Sequence, residues 1–248
     1  MKKKKLVLIY SQGRSGTSIL TRLVASNPKM YSGKAESPVL YMIIAALALI
    51  RDVNNDKKYI TSHSINTIKY LLYKWFLISS VVYSFWEAYK SSSLNQLPRF
   101  LGFRKSSIVT NMPVLPSNSW DIMLLNQLFD LQIISIVRNP LEVLASRKKF
   151  EGFNYTLQEH IVDISCRHEV WRRLSPLFIK YEDVNNITKL KEFLNAALGS
   201  TDFDFELLDH KIHPTVKSSV SLEHVREMNL PKELIESFEQ VVSWYRKV

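Results

Sequence analysis

The sequence predicts an α/β protein in which helices flank a central, mainly parallel β-sheet. Two short apolar runs, Leu6 to Tyr10 and Gln132 to Val137, have the length and composition of buried strands. Each run ends in a polar turn and is followed by apolar residues at helical spacing. Several strand–helix pairs of this kind succeed one another along the chain, and such alternation is typical of a parallel sheet.

The other elements are predicted from the same two periodicities. Asn27-Pro28 ends the first helix, a short strand is expected at Lys29 to Ser32, and a loop is expected at 33–37. Later strands are predicted at Ser107 to Thr110 and Leu177 to Lys180. Apolar periodicity predicts helices at Pro38 to Ile50, Ser64 to Tyr89, Ser119 to Phe129, Leu141 to Phe150, Leu157 to Leu174, Ile187 to Leu198 and Pro231 to Arg246.

We expect one domain, residues 1–248, with a helical insertion at about 60–105. Ser64 to Tyr89 has a wide apolar face rich in aromatic residues, which favours a helix that packs in the core or forms a lid. A sugar-stacking surface and a membrane-surface helix are the alternatives for that segment. Lys90 to Lys105 has the composition of a basic loop of the same insertion.

The chain is basic, with 33 Lys and Arg residues against 23 Asp and Glu residues and a formal net charge of +10. This excess favours anionic partners such as nucleotide phosphates, acidic glycans or an anionic membrane surface. The basic residues are scattered along the chain, which argues against a nucleic-acid groove. Cys166 is the only cysteine, so no internal disulfide is possible and a reducing compartment is favoured.

No targeting or membrane-spanning segment is predicted. The lysines at 2–5 precede an apolar run that is too short for the core of a signal peptide. Val39 to Ile50 is likewise too short to span a bilayer. We therefore expect a soluble, cytoplasmic protein, for which peripheral membrane contact stays open.

The turn after the first predicted strand has the composition of a phosphate-binding loop. Gly13 and Gly16 permit tight turns and a close backbone approach, and the N–H groups that begin the next helix attract an anion. Thr17 and Ser18 add hydroxyl donors, and Arg14 adds a permanent positive charge. The loop lacks the spacing of a Walker A motif and its lysine, which disfavours a nucleotide triphosphatase.

A second junction of strand, turn and helix carries Arg138. It follows the apolar run at 132–137, and ligands of open α/β sheets bind at the carboxyl ends of the strands. Pro140 is well placed to begin a helix. Ser146 comes eight residues after Arg138, about two helical turns along. A third segment, Phe-Ile-Lys-Tyr-Glu-Asp-Val at 178–184, again follows a short strand.

These three segments resemble the sulfotransferases that use 3′-phosphoadenosine 5′-phosphosulfate (PAPS), in the Golgi, tyrosylprotein and bacterial branches. Gly13 to Ser18 matches the 5′-phosphosulfate loop of that family position by position, and Arg138 and Ser146 fall on its two 3′-phosphate-binding positions. Tyr181 falls on a tyrosine that contacts the nucleotide. The resemblance implies a three-layer P-loop-type fold and PAPS binding by the loop residues Arg14, Ser15, Gly16, Thr17 and Ser18.

The resemblance also implies a catalytic base and a positive charge for the leaving phosphate. Sulfuryl transfer needs a base within reach of the acceptor hydroxyl and positive charge at the departing oxygen, which Arg14 would supply. Glu36, which is 22 residues after Arg14, matches the glutamate that serves as base in the Golgi and tyrosylprotein branches. The structural alternative for Glu36 is an acid near the helix that Pro38 begins. His63 is the second candidate base.

The match fails in two places. Tyrosylprotein sulfotransferases carry a lysine in an Asn-Lys-Asp-Pro segment, where this chain has Thr110-Asn111-Met112-Pro113. Either Arg14 takes the role of that lysine alone or another basic residue supplies the charge. The serine and lysine of the family's C-terminal loop have only poorly aligned counterparts in Lys217, Ser218 and Ser219.

The sequence therefore predicts a sulfotransferase that moves a sulfuryl group from PAPS to an acceptor hydroxyl by in-line displacement. A carbohydrate or glycan acceptor is expected, since the net positive charge favours an anionic glycan, while a lipid-linked sugar, a small alcohol and tyrosine stay open. The insertion at 60–105 is the expected acceptor side. The residues present require no metal ion, because no His/Cys cluster or Walker B context accompanies the loop. A P-loop kinase of a small metabolite and a non-catalytic nucleotide-binding relative are the alternatives.

Overall fold

The computed structural model describes residues 3–11, 15–36, 38–55, 66–75, 107–112, 119–148, 156–174, 176–208 and 220–248. The strands in these ranges are β1 (Lys4–Tyr10), β2 (Met30–Glu36), β3 (Ser107–Met112), β4 (Phe129–Val137) and β5 (Leu177–Lys180). The α-helices are α1 (Thr17–Ser26), α2 (Pro38–Asn55), α3 (66–75), α4 (Pro140–Lys148), α5 (Leu157–Leu174), α6 (Ile187–Leu198), α7 (Leu222–Arg226) and α8 (Lys232–Lys247). Short 3₁₀ helices occupy Ser119–Gln127, Tyr181–Asn185 and Phe205–Leu208.

The chain divides into two compact units. The first comprises Met1–Ile9 and Thr21–Ile133, and the second comprises Tyr10–Leu20 and Ile134–Val248. Since β1 and β4 pass from one unit into the other, each unit contains a part of both strands.

In the first unit the strands hydrogen-bond in the order β2-β3-β1-β4. β2 and β3 run parallel, with Met30 opposite Ser107 and Glu36 opposite Asn111, and their register shifts between Ser32 and Glu36. α2 packs against the 3₁₀ helix that precedes β4. The buried residues of these two helices are apolar, namely Ile43, Ile44, Leu47, Ile50, Ile122 and Leu125.

In the second unit the carboxyl ends of β1 and β4 continue, and β5 pairs with β4 in parallel, with Ile134 opposite Leu177. α5 packs against α4 and α8. One apolar cluster lies among these helices, and its least exposed members are Val143, Leu144, Ile161, Ile164, Val225 and Phe238. Burial of this cluster fixes α4 and α5, the helices that follow β4 and precede β5.

The predicted α/β class, with a parallel sheet flanked by helices, is confirmed, but several predicted bounds are wrong. α2 continues to Asn55 rather than ending at Ile50, and β3 continues to Met112 rather than ending at Thr110. β2 continues to Glu36, where a loop at 33–37 was expected: its register with β3 shifts between Ser32 and Glu36, and Glu36 pairs again opposite Asn111. Ser119–Gln127 is a 3₁₀ helix rather than an α-helix, and Phe129 begins β4. The buried residues Ile122, Leu125 and Leu128 recur every three positions, which matches the period of a 3₁₀ helix.

The bounds of two later helices agree with the prediction. α5 and α6 begin and end where their periodicity predicts, and α6 ends at Gly199, whose φ of 68° is left-handed and whose N–H donates to the Asn195 carbonyl at 2.8 Å. The predicted insertion at 60–105 lies outside the described residues except for 66–75, which are helical. Within the described ranges, no helix combines the length and the hydropathy that crossing a bilayer requires.

Candidate functional site

The turn between β1 and α1 presents a helix N-terminus next to a buried hydroxyl. Ser15 is fully buried, and its Oγ has no hydrogen-bond partner among the residues that the structure describes. Thr17 is also buried, whereas Ser18 is exposed. The first N–H groups of α1 have no acceptor within the helix, so this turn offers donors to an anion. Arg14 lies outside the described residues.

Gly16 has no room for a side chain. Its φ is 89°, which L side chains rarely adopt, and a Cβ at this position would lie 2.9 Å from Tyr181 Cε2 and 3.2 Å from Ile136 Cδ1. The backbone of the loop therefore lies directly against the ring of Tyr181. This contact joins the first and third sequence motifs, which are about 165 residues apart in the chain.

Arg138 follows β4 and is only 6% exposed. Its guanidinium carbon lies 4.5 Å from the centre of the Tyr181 ring, a distance at which a cation and an aromatic face attract each other. Its Nε donates to Glu142 Oε2 at 3.1 Å. Arg138 is thus held by an aromatic ring and by a carboxylate on the following helix.

Ser146 lies on the same face of α4 as Glu142, the residue that pairs with Arg138. Asn139 begins α4 by accepting a hydrogen bond from the Leu141 N–H on its side-chain oxygen at 3.1 Å. Glu142 and Ser146 are four residues apart on that helix, so they lie one turn apart on the same side. Ser146 is 8% exposed, and it therefore belongs to the buried side of α4 that also carries the Arg138 partner.

A hydrogen bond joins the loop after β1 to the end of β4. Ser11 Oγ donates to the carbonyl oxygen of Ile136, and both residues are buried. Ser11 comes just before the loop that leads to α1, and Ile136 lies two residues before Arg138. Of the predicted site residues, the structure therefore brings Gly16, Arg138 and Tyr181 into one place.

The segment that carries Tyr181 is fastened by the last helix. The Tyr245 hydroxyl of α8 donates to Glu182 Oε2 at 2.5 Å. Burial, with this hydrogen bond as a second cause, raises the pKa of the Tyr245 hydroxyl, so it remains a donor at neutral pH. Glu182 therefore holds α8 to this segment.

A small cavity adjoins Arg138. Ser11 and Arg138 line it from the strand ends, Arg167, His168 and Trp171 from α5, and Trp244 from α8. Trp171 Nε1 donates to the buried Ser135 Oγ of β4 at 2.9 Å, which fixes α5 on this strand. No short sequence motif contains these residues. The sequence indicates only that Arg167, His168 and Trp171 lie on an amphipathic helix, α5.

His168 is held neutral in this cavity wall. Its ring stacks with Trp171 at 5.9 Å between centroids and lies 4.7 Å from the Trp244 ring. Burial, with a smaller effect from the Arg172 charge, lowers the pKa of His168 from 6.5 to about 4, against the opposing charge of Glu169. A neutral imidazole at this position adds no positive charge to the cavity at neutral pH.

The remaining predicted residues belong to the first unit or lie outside the described residues. Glu36 is the last residue of β2 and is opposite Asn111 of β3, in the first unit. His63, Lys217, Ser218 and Ser219 lie outside the described residues, as does Pro113. The described groups supply backbone and hydroxyl donors at the start of α1 and a buried guanidinium after β4, which suits an anionic ligand.

Replacement of Gly16 by alanine should damage both stability and the site. We expect the free energy of unfolding to fall by about 2–5 kcal/mol, since a left-handed φ and two close contacts are both penalised. Chemical denaturation would measure it. Gly199→Ala is the control, because Gly199 has a φ of 68° but nothing within 4 Å of its Cβ position. Equal losses of unfolding free energy in the two variants would show that the close contact with Tyr181 adds nothing to the destabilisation.

The depressed pKa of His168 predicts a pH dependence of stability. Between about pH 6.5 and pH 4 the unfolded chain binds a proton at this histidine and the folded chain does not, so stability falls as pH is lowered through this window. The loss should reach about 3 kcal/mol. Denaturant titrations at several pH values should show a shallower decline for His168→Phe. His224→Gln, at an exposed position, should leave the slope unchanged; an unchanged slope in His168→Phe would contradict the assignment.

Comparison with known proteins gives a likeness at the level of the fold. No family model matches the chain, and no curated protein matches it. The sulfotransferase domain from the Synechococcus PCC 7002 olefin synthase is similar over 99% of this chain and 96% of its own, with 17% identity and a TM-score of 0.53.

Two further solved structures are more distant. The sulfotransferase domain from the curacin biosynthetic pathway has 16% identity and a TM-score of 0.46 over 99% of this chain and 98% of its own. The sulfotransferase from Alicyclobacillus acidocaldarius has 13% identity and a TM-score of 0.45 over 98% of this chain and 92% of its own. The likeness to the olefin synthase domain exceeds a TM-score of one half, and on that comparison this chain has the sulfotransferase fold.

Proposed function

We propose that this chain transfers a sulfuryl group from PAPS to an acceptor hydroxyl. The observation that carries the proposal is the meeting of Gly16, Arg138 and Tyr181, one residue from each sequence motif. A nucleotide with anionic groups at both its 5′ and 3′ positions needs two separate anion sites at a fixed distance. The loop before α1 and the Arg138 segment are the proposed pair.

The 5′ end of the donor fits the loop that begins α1. The orphaned Ser15 Oγ needs a hydrogen-bond partner, and a phosphosulfate oxygen would provide one. Gly16 lets the backbone approach the ligand closely, and the dipole of α1 stabilises negative charge there. Thr17 and Ser18 contribute the hydroxyl groups of the first turn, and Arg14 the charge that offsets the leaving phosphate.

The 3′ end fits Arg138 and Ser146. A guanidinium offers a planar fork of donors that matches phosphate oxygens, and Glu142 orients that of Arg138 by accepting from its Nε. Tyr181 supports the guanidinium from one face, which reduces the entropy that the side chain loses on binding. Arg138 thereby keeps one orientation before the nucleotide arrives.

Glu36 is the proposed base. In the register of β2 and β3 its backbone is opposite that of Asn111. Asn111 belongs to the segment that resembles the lysine-bearing segment of the family, so the proposed base neighbours that segment. The acceptor oxygen attacks sulfur and forms an S–O bond, while the bond from sulfur to the bridging phosphate oxygen breaks. The electron pair of that bond leaves with the phosphate, and the acceptor proton passes to the Glu36 carboxylate.

The acceptor class is proposed from charge. A formal net charge of +10 favours anionic acceptors, so among carbohydrates and glycans an acidic glycan is preferred over a neutral alcohol. The chain offers little support for a kinase, because the residue after Gly16 is Thr17 and not the lysine that binds β- and γ-phosphates. The missing lysine before Pro113 is the observation that favours a non-catalytic nucleotide-binding relative.

Calorimetric titration with 3′-phosphoadenosine 5′-phosphate (PAP), the product of transfer, tests the donor. We expect PAP to bind more tightly than ADP or ATP–magnesium. Arg138→Ala should weaken PAP binding by about tenfold to several hundredfold, because one or more charge-assisted hydrogen bonds are lost. Arg226→Ala, which removes an exposed arginine paired with Glu239, should leave PAP affinity unchanged.

Preference for ATP–magnesium would refute the donor assignment and favour a kinase. Arg138→Ala also removes the partner of Glu142, so its melting temperature without ligand has to be compared with wild type. Arg138→Lys retains the charge and loses the fork, and we expect it to recover only part of the affinity.

Substitution of the proposed base should separate binding from turnover. With labelled PAPS and a panel of glycans, phenols and simple alcohols, Glu36→Gln should reduce transfer by about a hundredfold or more. Its PAP affinity should stay at the wild-type value. Loss of turnover without loss of binding is the signature of a proton-transfer group, which a merely structural acid at the end of β2 would not give.

His63→Asn provides the comparison for the second candidate base. If His63→Asn abolishes transfer and Glu36→Gln does not, the assignment of the base is wrong. If wild-type protein binds PAP and sulfates no acceptor in the panel, the non-catalytic alternative gains support.

A further inference from the structure

A polar cleft lies between α5 and α8, two helices of the second unit. Its volume is about 210 Å³, several times the volume that one water molecule occupies in the liquid. The lining comes from one face of each helix, from Ser165 to Arg172 on α5 and from Ser237 to Trp244 on α8. The cleft thus has room for a molecule the size of a single sugar ring.

The floor of the cleft consists of buried residues, and two of them are polar. Ser165 and His168 are each 8% exposed, and Val241 lies beside them. Ser165 Oγ has no partner among the described residues, and the His168 ring contacts Trp residues but makes no hydrogen bond within those ranges. Buried polar groups are nearly always paired, so a floor of this kind suits a hydroxylated molecule better than a hydrocarbon.

The rim of the cleft offers both donors and acceptors of hydrogen bonds. Glu169 and Arg172 form an ion pair at 3.8 Å, and their side chains are 46% and 62% exposed. Ser237, which is half-buried, and Gln240, which is exposed, line the cleft from α8. A carboxylate accepts, a guanidinium donates, and hydroxyl and amide groups do both. Sugar hydroxyl groups, which both donate and accept, match such a set.

The charges of the lining balance one another. Glu169 and Arg172 carry opposite charges, and burial lowers the pKa of His168 so that its ring is neutral at neutral pH. The cleft therefore favours a neutral ligand, in contrast to the anion-binding groups at the start of α1 and after β4. The half-buried Trp244 adds an aromatic surface, against which the C–H groups of a sugar ring can pack.

We propose that the cleft between α5 and α8 binds one neutral sugar residue, as a saccharide subsite separate from the donor site. The sugar hydroxyl groups bond to Glu169, Arg172 and Gln240, and the apolar face of the ring packs on Trp244. The inference goes beyond sulfuryl transfer and does not depend on it, because neither Arg138 nor the described residues of the loop before α1 line this cleft.

The competing explanation is a solvated cleft that holds water only. Ordered waters could bond to the same polar groups. Water gives no saturable response to added sugar, whereas a saccharide subsite does. Nuclear magnetic resonance of the isotope-labelled full chain separates the two, with the indole N–H signal of Trp244 and the side-chain amide signal of Gln240 as reporters. The probes are glucose, galactose, N-acetylglucosamine and lactose, with glucuronate as the anionic comparator.

We expect a neutral sugar of this panel to shift both signals saturably at millimolar concentration. Gln240→Ala should weaken this binding by about threefold to tenfold, because one hydrogen bond is lost. Ser237→Leu should abolish it, because the larger side chain would fill the cleft. Gln158→Ala is the matched control, since Gln158 is an exposed glutamine of α5 that does not line the cleft, and it should keep the wild-type affinity.

The absence of saturable shifts with every neutral sugar would overturn the proposal in favour of water only. Wild-type affinity in Gln240→Ala or in Ser237→Leu would overturn it as well, and so would tighter binding of glucuronate than of glucose. If Ser237→Leu does not fold, Gln240→Ala decides, because that position is exposed. Titration with PAP reports on the donor site independently, so failure of one assignment leaves the other standing.

Discussion

The contact of the Arg138 guanidinium with the Tyr181 ring is the interaction on which the arrangement of the site depends. It is one link in a short chain of contacts that runs from Glu142 through Arg138 and Tyr181 to the backbone of Gly16. Each link constrains the next: the carboxylate orients the guanidinium, the guanidinium covers the ring, and the ring leaves no space for a side chain on the loop. The Glu142 carboxylate and the face of the Tyr181 ring thus both stabilise the buried guanidinium.

The helices behind the strand ends make this burial possible. Trp171 ties α5 to Ser135 of β4, and the rings of His168, Trp171, Phe178 and Trp244 form one aromatic cluster over that strand. The apolar cluster of α4, α5 and α8 holds these helices in place. An uncharged His168 keeps the cluster from adding to the positive charge of the neighbouring arginines.

The strand ends and their chemistry could be predicted from the sequence because they are local features. Gly16, Arg138 and Tyr181 each follow a short apolar run, and the bounds of α5 and α6 follow from a regular apolar period. The extension of β2 to Glu36 could not be predicted, since it comes from pairing with β3, and nor could the 3₁₀ form of Ser119–Gln127 be recognised in an apolar pattern typical of helices. The partners of Arg138 depend on packing between distant segments, which periodicity does not encode.

The hydrogen bond from Ser11 to Ile136 has a consequence for how the protein folds. It joins residues that are 125 positions apart, and the Gly16–Tyr181 contact spans a longer stretch still. Closing loops of this length costs chain entropy before the contacts can compensate it. Proteins dominated by such distant pairings fold slowly, because little of the native topology can form from neighbouring residues. During synthesis, Tyr10–Leu20 is therefore made more than a hundred residues before the segments that it contacts.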